Sequence, residues 1–154
     1  MSISEVNKIV PFVPRSRLSE QDLVKVLYLD DDDIDRTLMQ MHIKRHLNGR
    51  VMLQCVTTPC EAREALASED FDYFVTDNRM PPISSYRETL DIVDVSSFTG
   101  RIIVVSSETR FDGFEKGTDE RVHCITDKAD LSLAIKDGLF RSFQRAKQCE
   151  ERKA

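Results

Sequence analysis

Val24-Lys25-Val26-Leu27-Tyr28-Leu29-Asp30-Asp31-Asp32-Asp33-Ile34-Asp35 changes character halfway along: a β-branched, largely apolar run meets four consecutive aspartates. The first half has the composition of a buried strand. Aspartates after a strand have an ordinary reading as a solvated loop and helix N-cap, because a carboxylate accepts backbone N–H bonds and complements the helix dipole. One or two of them are explained that way. Four in a row repel one another, and the pair nearest the strand cannot both cap. Two carboxylates held together either share a proton or are bridged by a cation.

The same strand-like character recurs four more times, at Val51–Val56, Tyr73–Thr76, Ile102–Val105 and Val122–Thr126. Helical spacing fills the intervals. Ile34, Leu38 and Met41, with Leu47 further on, make one face of a first helix. Thr58-Pro59-Cys60-Glu61 is a capping box opening a second, with an apolar stripe of Ala62, Ala65 and Leu66. Leu90 and Val93 mark a third over residues 86–95. The fourth, 110–119, is weak, with Phe111 and Phe114 as its only large anchors and Gly113 and Gly117 inside it. The fifth, 131–146, is the clearest, carrying Leu131, Ala134, Ile135, Leu139 and Phe143 at 3–4 spacing. Strands alternating with helices predict a doubly wound α/β domain with a five-stranded parallel sheet covered on both faces. The unbroken apolar run Ile102-Ile103-Val104-Val105 suits a strand buried on both sides.

The 154 residues correspond to one domain with a short extension, long enough to bury a core without a metal or disulfide staple. Residues 1–22 contain Pro11 and Pro14 and no clean period, and are expected to form an N-terminal arm; the domain is expected over 23–148 and a short tail over 149–154. Four cysteines without CxxC spacing read as reduced thiols of a cytoplasmic protein. No apolar run approaches the roughly 20 residues that span a bilayer, so no membrane segment is expected. A net charge of −5 argues against a nucleic-acid partner, which would need a basic face.

Ligands of open α/β sheets sit beyond the carboxyl ends of the strands. Strand one ends at Asp30 and Asp31, strand three at Asp77, strand four at Ser106 and Ser107, and strand five just before Lys128. Each has a plain explanation alone, as turn former, strand-end serine or solvated lysine. Together they suggest that Asp77 joins the aspartate pair around a Mg²⁺, which takes one or two protein carboxylates and leaves room for water and phosphate. A carboxylate can also attack phosphorus, giving an aspartyl phosphate. Ser106 could donate to a phosphoryl oxygen and Lys128 could offer a point charge.

Residues 24 to about 148 resemble the receiver domain of two-component response regulators. The resemblance rests on Val26-Leu27-Tyr28-Leu29-Asp30-Asp31, Phe71-Asp72 through Asp77, Met80-Pro81, Val104-Val105-Ser106-Ser107 and Asp127-Lys128. It implies a flavodoxin-like sheet of order 2-1-3-4-5, the family's order rather than one read from these residues. It further implies Asp77 as phosphoacceptor, Asp31 as direct Mg²⁺ ligand, Asp30 as a ligand through water, and the Arg79 carbonyl as a backbone ligand. Ser106 and Lys128 would sense the phosphate, with Ser107 and Ile125 in the switch region. Asp33 is expected to cap the first helix. The implied partners are a histidine kinase or histidine phosphotransfer protein and a downstream protein, with no enzymatic activity beyond self-directed phosphoryl transfer and autodephosphorylation.

Several positions depart from the family pattern. Ser85 stands where a glycine is common and Pro82 replaces a more usual loop residue, implying a reshaped loop after Asp77. Ile125 occupies the usual aromatic switch position, and Ala129 stands where a proline often follows the lysine, so no cis peptide is expected there. With only Gln148–Ala154 after the last helix, a stand-alone receiver is expected. Leu133 and Phe140, seven residues apart and off the main stripe, are a candidate partner or homodimer patch, the alternative being the edge of a wide buried face. Two other functions compete. A receiver-fold binding module indifferent to phosphate fits the departures. A haloacid dehalogenase-type phosphohydrolase fits Asp31-x-Asp33 loosely, but leaves Asp77 without a role and lacks later paired acids.

Overall fold

A computed structural model describes residues 23–107 and 119–143. The arm over 1–22, the tail over 149–154 and nearly all of the expected fourth helix lie outside them. Five parallel strands form one sheet: β1 (Val24–Leu29), β2 (Val51–Val56), β3 (Tyr73–Asp77), β4 (Arg101–Ser106) and β5 (Val122–Asp127). Their order is β2-β1-β3-β4-β5, as the resemblance implied. Each parallel step needs a crossover. The described crossovers carry α1 (Asp33–Leu47), α2 (Pro59–Ser68) and α3 (Tyr86–Val93), and α4 (Leu131–Lys136) follows β5.

Strand side chains alternate between the two faces of the sheet. Leu27, Leu29, Phe74, Ile102 and Val104 pack one face against Ala62 and Ala65 of α2 and Leu90 and Val93 of α3. Val26, Tyr28, Tyr73, Val75, Ile103 and Val105 pack the other against Met39 and Ile43 of α1 and Leu131 and Ile135 of α4. All of β3 is buried, as a central strand should be. The capping box holds: Thr58 Oγ1 accepts the Glu61 N–H at 3.2 Å. The Glu61 carboxylate reaches one residue further back than expected, to the Thr57 N–H at 3.4 Å and the Thr57 hydroxyl at 2.7 Å.

The first helix is rotated relative to its expected face. Ile34, Leu38 and Met41 are exposed, and Met39 and Ile43 are buried with Leu47 packed beside them. The cap is Asp32, whose Oδ1 accepts the Ile34 and Asp35 N–H groups at 2.8 and 3.2 Å, and not Asp33. The sheet-facing stripe runs 35/36, 39, 43, 47, so its first turn is polar. Asp35 and Arg36 are turned toward the end of β1, where the Arg36 guanidinium donates to the Asp30 carbonyl at 2.8 Å.

The last helix is shorter than its periodicity suggested. It stops at Lys136, with Gly138 at φ +108°. The Leu139 N–H donates to the Ala134 carbonyl at 2.9 Å and the Gly138 N–H to the Ile135 carbonyl at 3.2 Å, which is a Schellman C-cap. The chain beyond then folds back onto the sheet. Phe140 and Phe143 make edge contacts with the Tyr73 ring at centroid separations of 5.4 and 5.3 Å. The expected Leu133–Phe140 patch therefore does not exist. Leu133 is 59% exposed while Phe140 is 2% exposed, because they are not on one helix. The described cis peptide is Pro81–Pro82, in the loop after β3.

Candidate functional site

Three strand ends build the pocket. Asp30 follows β1, Asp77 is the last residue of β3, and Ser106 is the last residue of β4, each now buried at the carboxyl rim of the sheet. Register sets their level: Leu29 pairs with Thr76, Asp77 with Val105 and Ser106 with Asp127. Lys128 comes next, opening a short 3-10 turn whose N-cap, Asp127, accepts the Ala129 N–H at 2.8 Å. That turn points the lysine back over the sheet.

Lys128 Nζ lies 3.0 Å from Asp77 Oδ1, 3.2 Å from Asp30 Oδ2 and 2.6 Å from Asp35 Oδ2. An ammonium has three N–H donors, and three carboxylates surround it here. Burial works to lower its pKa, but the Asp35, Asp77 and Asp30 carboxylates outweigh burial and hold it above the ordinary lysine value. Asp30 is fully buried and accepts two further bonds, from the Tyr28 hydroxyl at 2.6 Å and the Asp32 N–H at 3.0 Å. Burial, then the charge and hydrogen bond of Asp30, raise the Tyr28 phenol, so Tyr28 is a fixed donor. Burial, with the Asp30 charge next, pushes the Asp77 carboxyl up to about 6, although Lys128 pulls it down.

One carboxylate oxygen from each of Asp30, Asp31 and Asp77 lies within 4.8 Å of the others. Hard oxygen donors, a surplus of negative charge and an exposed Asp31 beside two buried acids fit a small divalent cation such as Mg²⁺. The sequence expectation of convergence is met by Asp30, Asp31, Asp77 and Lys128. Ser106 ends the strand next to Asp77, while Arg79 and Ser107 are on the exposed rim. Ile125 is half-buried and packs against the core layer that contains Met80 and Tyr86. Asn78, which no sequence motif marks, bridges the Asp77 loop: its N–H donates to the Val105 carbonyl at 2.9 Å, and its Oδ1 accepts the Tyr86 N–H at 3.4 Å.

Tyr28 and Asp35 were also missed. Tyr28 had a signal, since two residues before Asp30 on a strand places both on one face. Asp35 is hidden among the other acids of its turn, and only the face it shares with Met39 and Ile43 sets it apart.

Comparison with known proteins agrees with this geometry. No protein-family model matches the chain, and no curated protein matches it. Solved structures do. The phosphorylated cyanobacterial phytochrome response regulator RcpA superposes with a TM-score of 0.63 at 18% identity, covering 80% of this chain and 99% of its own. The response regulator TrrA from Thermotoga maritima, in complex with Mg²⁺ and BeF, gives 0.58 at 17% identity, covering 75% and 98%. The signal receiver domain of the NarL regulator from Mycobacterium tuberculosis gives 0.61 at 16% identity, covering 77% and 94%. The chain has the receiver-domain fold. Identities this low carry the fold and no more. Within the receiver fold, the acids and the lysine of this chain stand at the carboxyl rim of the sheet, where doubly wound folds bind their ligands.

Proposed function

We propose that this protein is a phosphoacceptor response regulator of a histidine–aspartate phosphorelay, in which Asp77 takes a phosphoryl group and the change alters binding to a partner protein. One observation carries the reading: Asp30, Asp31 and Asp77 converge at the strand ends with Lys128 against two of them. A solvated loop would not place Asp30 and Asp77 out of water beside a shared lysine.

In the proposed step, a carboxylate oxygen of Asp77 attacks the phosphorus of a phosphohistidine. The P–O bond forms as the P–N bond breaks, and the electron pair leaves with the imidazole nitrogen, which takes up a proton. A Mg²⁺ held by Asp30, Asp31 and Asp77, with the Arg79 carbonyl as the further ligand the resemblance implies, would supply charge neutralisation for the phosphoryl oxygens. Lys128 contributes an ammonium to the same oxygens and Ser106 a hydroxyl at the end of the adjacent strand. Buried apolar residues beneath the pocket keep bulk water from one side of the acyl phosphate. Reversal to the carboxylate needs water to attack phosphorus and break the P–O bond to Asp77, so the protein is not consumed and no external substrate is turned over.

The donor is a histidine kinase or histidine phosphotransfer protein, and the readout is a protein partner. No described helix is long and apolar enough to cross a membrane; we place the protein in the cytoplasm, where such donors act. Incubation with acetyl phosphate and Mg²⁺ tests the reading. Wild type should form an acid-stable, hydroxylamine-labile phosphoryl adduct that Asp77→Ala does not form. Equal labelling of both proteins would overturn Asp77 as acceptor. No adduct, with no response to beryllofluoride, would leave a binding module indifferent to phosphate.

A further inference from the structure

The shortest contact of Lys128 is to a residue outside both the metal cluster and the strand ends. Asp35 sits in the first turn of α1, its Oδ2 2.6 Å from the ammonium, and neither Asp30 at 3.2 Å nor Asp77 at 3.0 Å is as close. Its side chain is 27% exposed, against 0% for Asp30 and 11% for Asp77, so it holds the lysine from the solvent side of the pocket. Its backbone N–H is tied to the Asp32 cap, which fixes the turn it projects from. An aspartate in a first turn also has a plain role in complementing the helix dipole. That role does not require its carboxylate to sit against a lysine from the opposite edge of the sheet.

We propose that Asp35 is a positioning residue that gives Lys128 a second seat, drawing the ammonium off the metal-binding carboxylates and competing for it with the phosphoryl group. The metal half stands on the geometry alone; the phosphoryl half rests on the function proposed above. Two of the three partners of Lys128 are also the carboxylates a cation would use. A divalent ion entering the cluster must displace the ammonium from Asp30 and Asp77, and Asp35 is the anion it can turn to. Phosphorylation makes the opposite demand. The added phosphoryl charge needs the ammonium, and Asp35 holds one of its N–H donors back. Asp35 therefore favours the metal-loaded, unphosphorylated state and restrains the phosphorylated one.

The isosteric change Asp35→Asn separates this role from a structural one, because it shifts two affinities in opposite directions. By calorimetry, Mg²⁺ should bind the variant about fivefold more weakly, the effect of one charge-assisted contact at a partly exposed site. At saturating Mg²⁺, beryllofluoride should bind about fivefold more tightly, and Asp35→Glu should restore wild-type values for both. Loss of a nearby negative charge could mimic these signs, so the cycle with Lys128→Met decides. On that background, Asp35→Asn should change Mg²⁺ affinity less than twofold. A change as large as on wild type would show that Asp35 acts through space and not through the lysine, and would overturn the proposal. So would unchanged affinities, or shifts of the same sign, in the single variant. Absence of any beryllofluoride response in wild type would sink the phosphoacceptor reading, while the Mg²⁺ cycle would still decide the role of Asp35.

Discussion

Replacing Lys128 with methionine keeps the length of the side chain and removes the ammonium that contacts Asp30, Asp35 and Asp77. Asp30, fully buried, and Asp77, 8% exposed, then face each other with the Tyr28 hydroxyl, backbone donors and the Arg36 guanidinium on the Asp30 carbonyl left to offset their charge. The gross attraction being deleted is large: a unit pair near 3 Å at an effective dielectric of about 20 is worth about 5 kcal/mol. Much of it is repaid, because the lysine was itself desolvated. Breaking a buried pair from one side costs about 3–5 kcal/mol. With Lys128 at 21% side-chain exposure and Asp35 partly in water, we expect about 2–3 kcal/mol at pH 7.5. The loss should shrink at pH 5. Asp77 is already pushed up to about 6, and without the ammonium it rises further, so at pH 5 it carries a proton and the repulsion is gone. A raised carboxyl destabilises the fold above its unfolded pKa, increasingly until the folded pKa is passed, which fixes the sign. Mg²⁺ should reverse the loss. A ligand at 100 times its dissociation constant stabilises by about 2.7 kcal/mol, and in the variant no ammonium competes for Asp30 and Asp77. Urea denaturation followed by far-ultraviolet circular dichroism, at both pH values with and without Mg²⁺, measures all of this. A variant as stable as wild type at pH 7.5, or equal stabilisation of both proteins by Mg²⁺, would refute a pocket held together by this lysine.

The corrected C-terminal region makes Phe140→Ala and Leu133→Ala very different substitutions: the first should cost about 3–5 kcal/mol through the cavity beside Tyr73, the second under about 0.5 kcal/mol, both read from urea midpoints. Gly100→Ala should destabilise by about 2–3 kcal/mol, since a Cβ there would press into the Asp72 carbonyl and the Phe98 ring. That carbonyl is held by the Arg101 N–H at 2.9 Å, and no soft side chain can give way for it, so amide exchange at the start of β4 should rise with the loss. Bonds from Arg121 hold the Asp119 carboxyl down to about 2. Its contribution is present above about pH 4 and lost as pH falls toward 2, and solvent screening keeps it below about 1 kcal/mol. Acid titrations of wild type and Arg121→Gln should diverge above pH 4 and converge near pH 2.

The central strands β1, β3 and β4 were legible because burial on both faces leaves a continuous apolar run, and the half-exposed edge strands β2 and β5 by their β-branched residues. The five expected runs match the observed strands to within a residue at each end, and the residues added at the carboxyl ends of β3 and β4 are Asp77 and Ser106 themselves. Strand ends face one rim in a parallel sheet, so the ordering of acids and lysine along the chain was enough to place them together. Strand order was not legible from composition; it came with the resemblance. The end of the last helix could have been read. Asp137-Gly138 supplies a residue free to take positive φ just past the last turn, and the apolar spacing that continues through Leu139 and Phe143 comes from a chain folding back onto Tyr73.

The misread face of α1 and the overlooked Asp35 have a single cause. A helix over a buried functional pocket must give its first inward turn to polar residues, so its hydrophobic stripe begins a turn late. Here the inward positions are Asp35 and Arg36, serving Lys128 and the Asp30 carbonyl, and only then Met39 and Ile43. Apolar residues on the outer face, Ile34, Leu38 and Met41, fill the same periodicity and give a false stripe that is 42–66% exposed. Period alone could not separate the two, because both satisfy i, i+4 spacing. Charge could have done so. A lysine carried to the rim beside two buried acids needs its remaining N–H satisfied, and α1 starts at that rim. Of the acids in its first turn, Asp33 lies two positions before Asp35 and so on another side of the helix. Asp35 shares its face with Met39 and Ile43, and that face is the one the sheet sees.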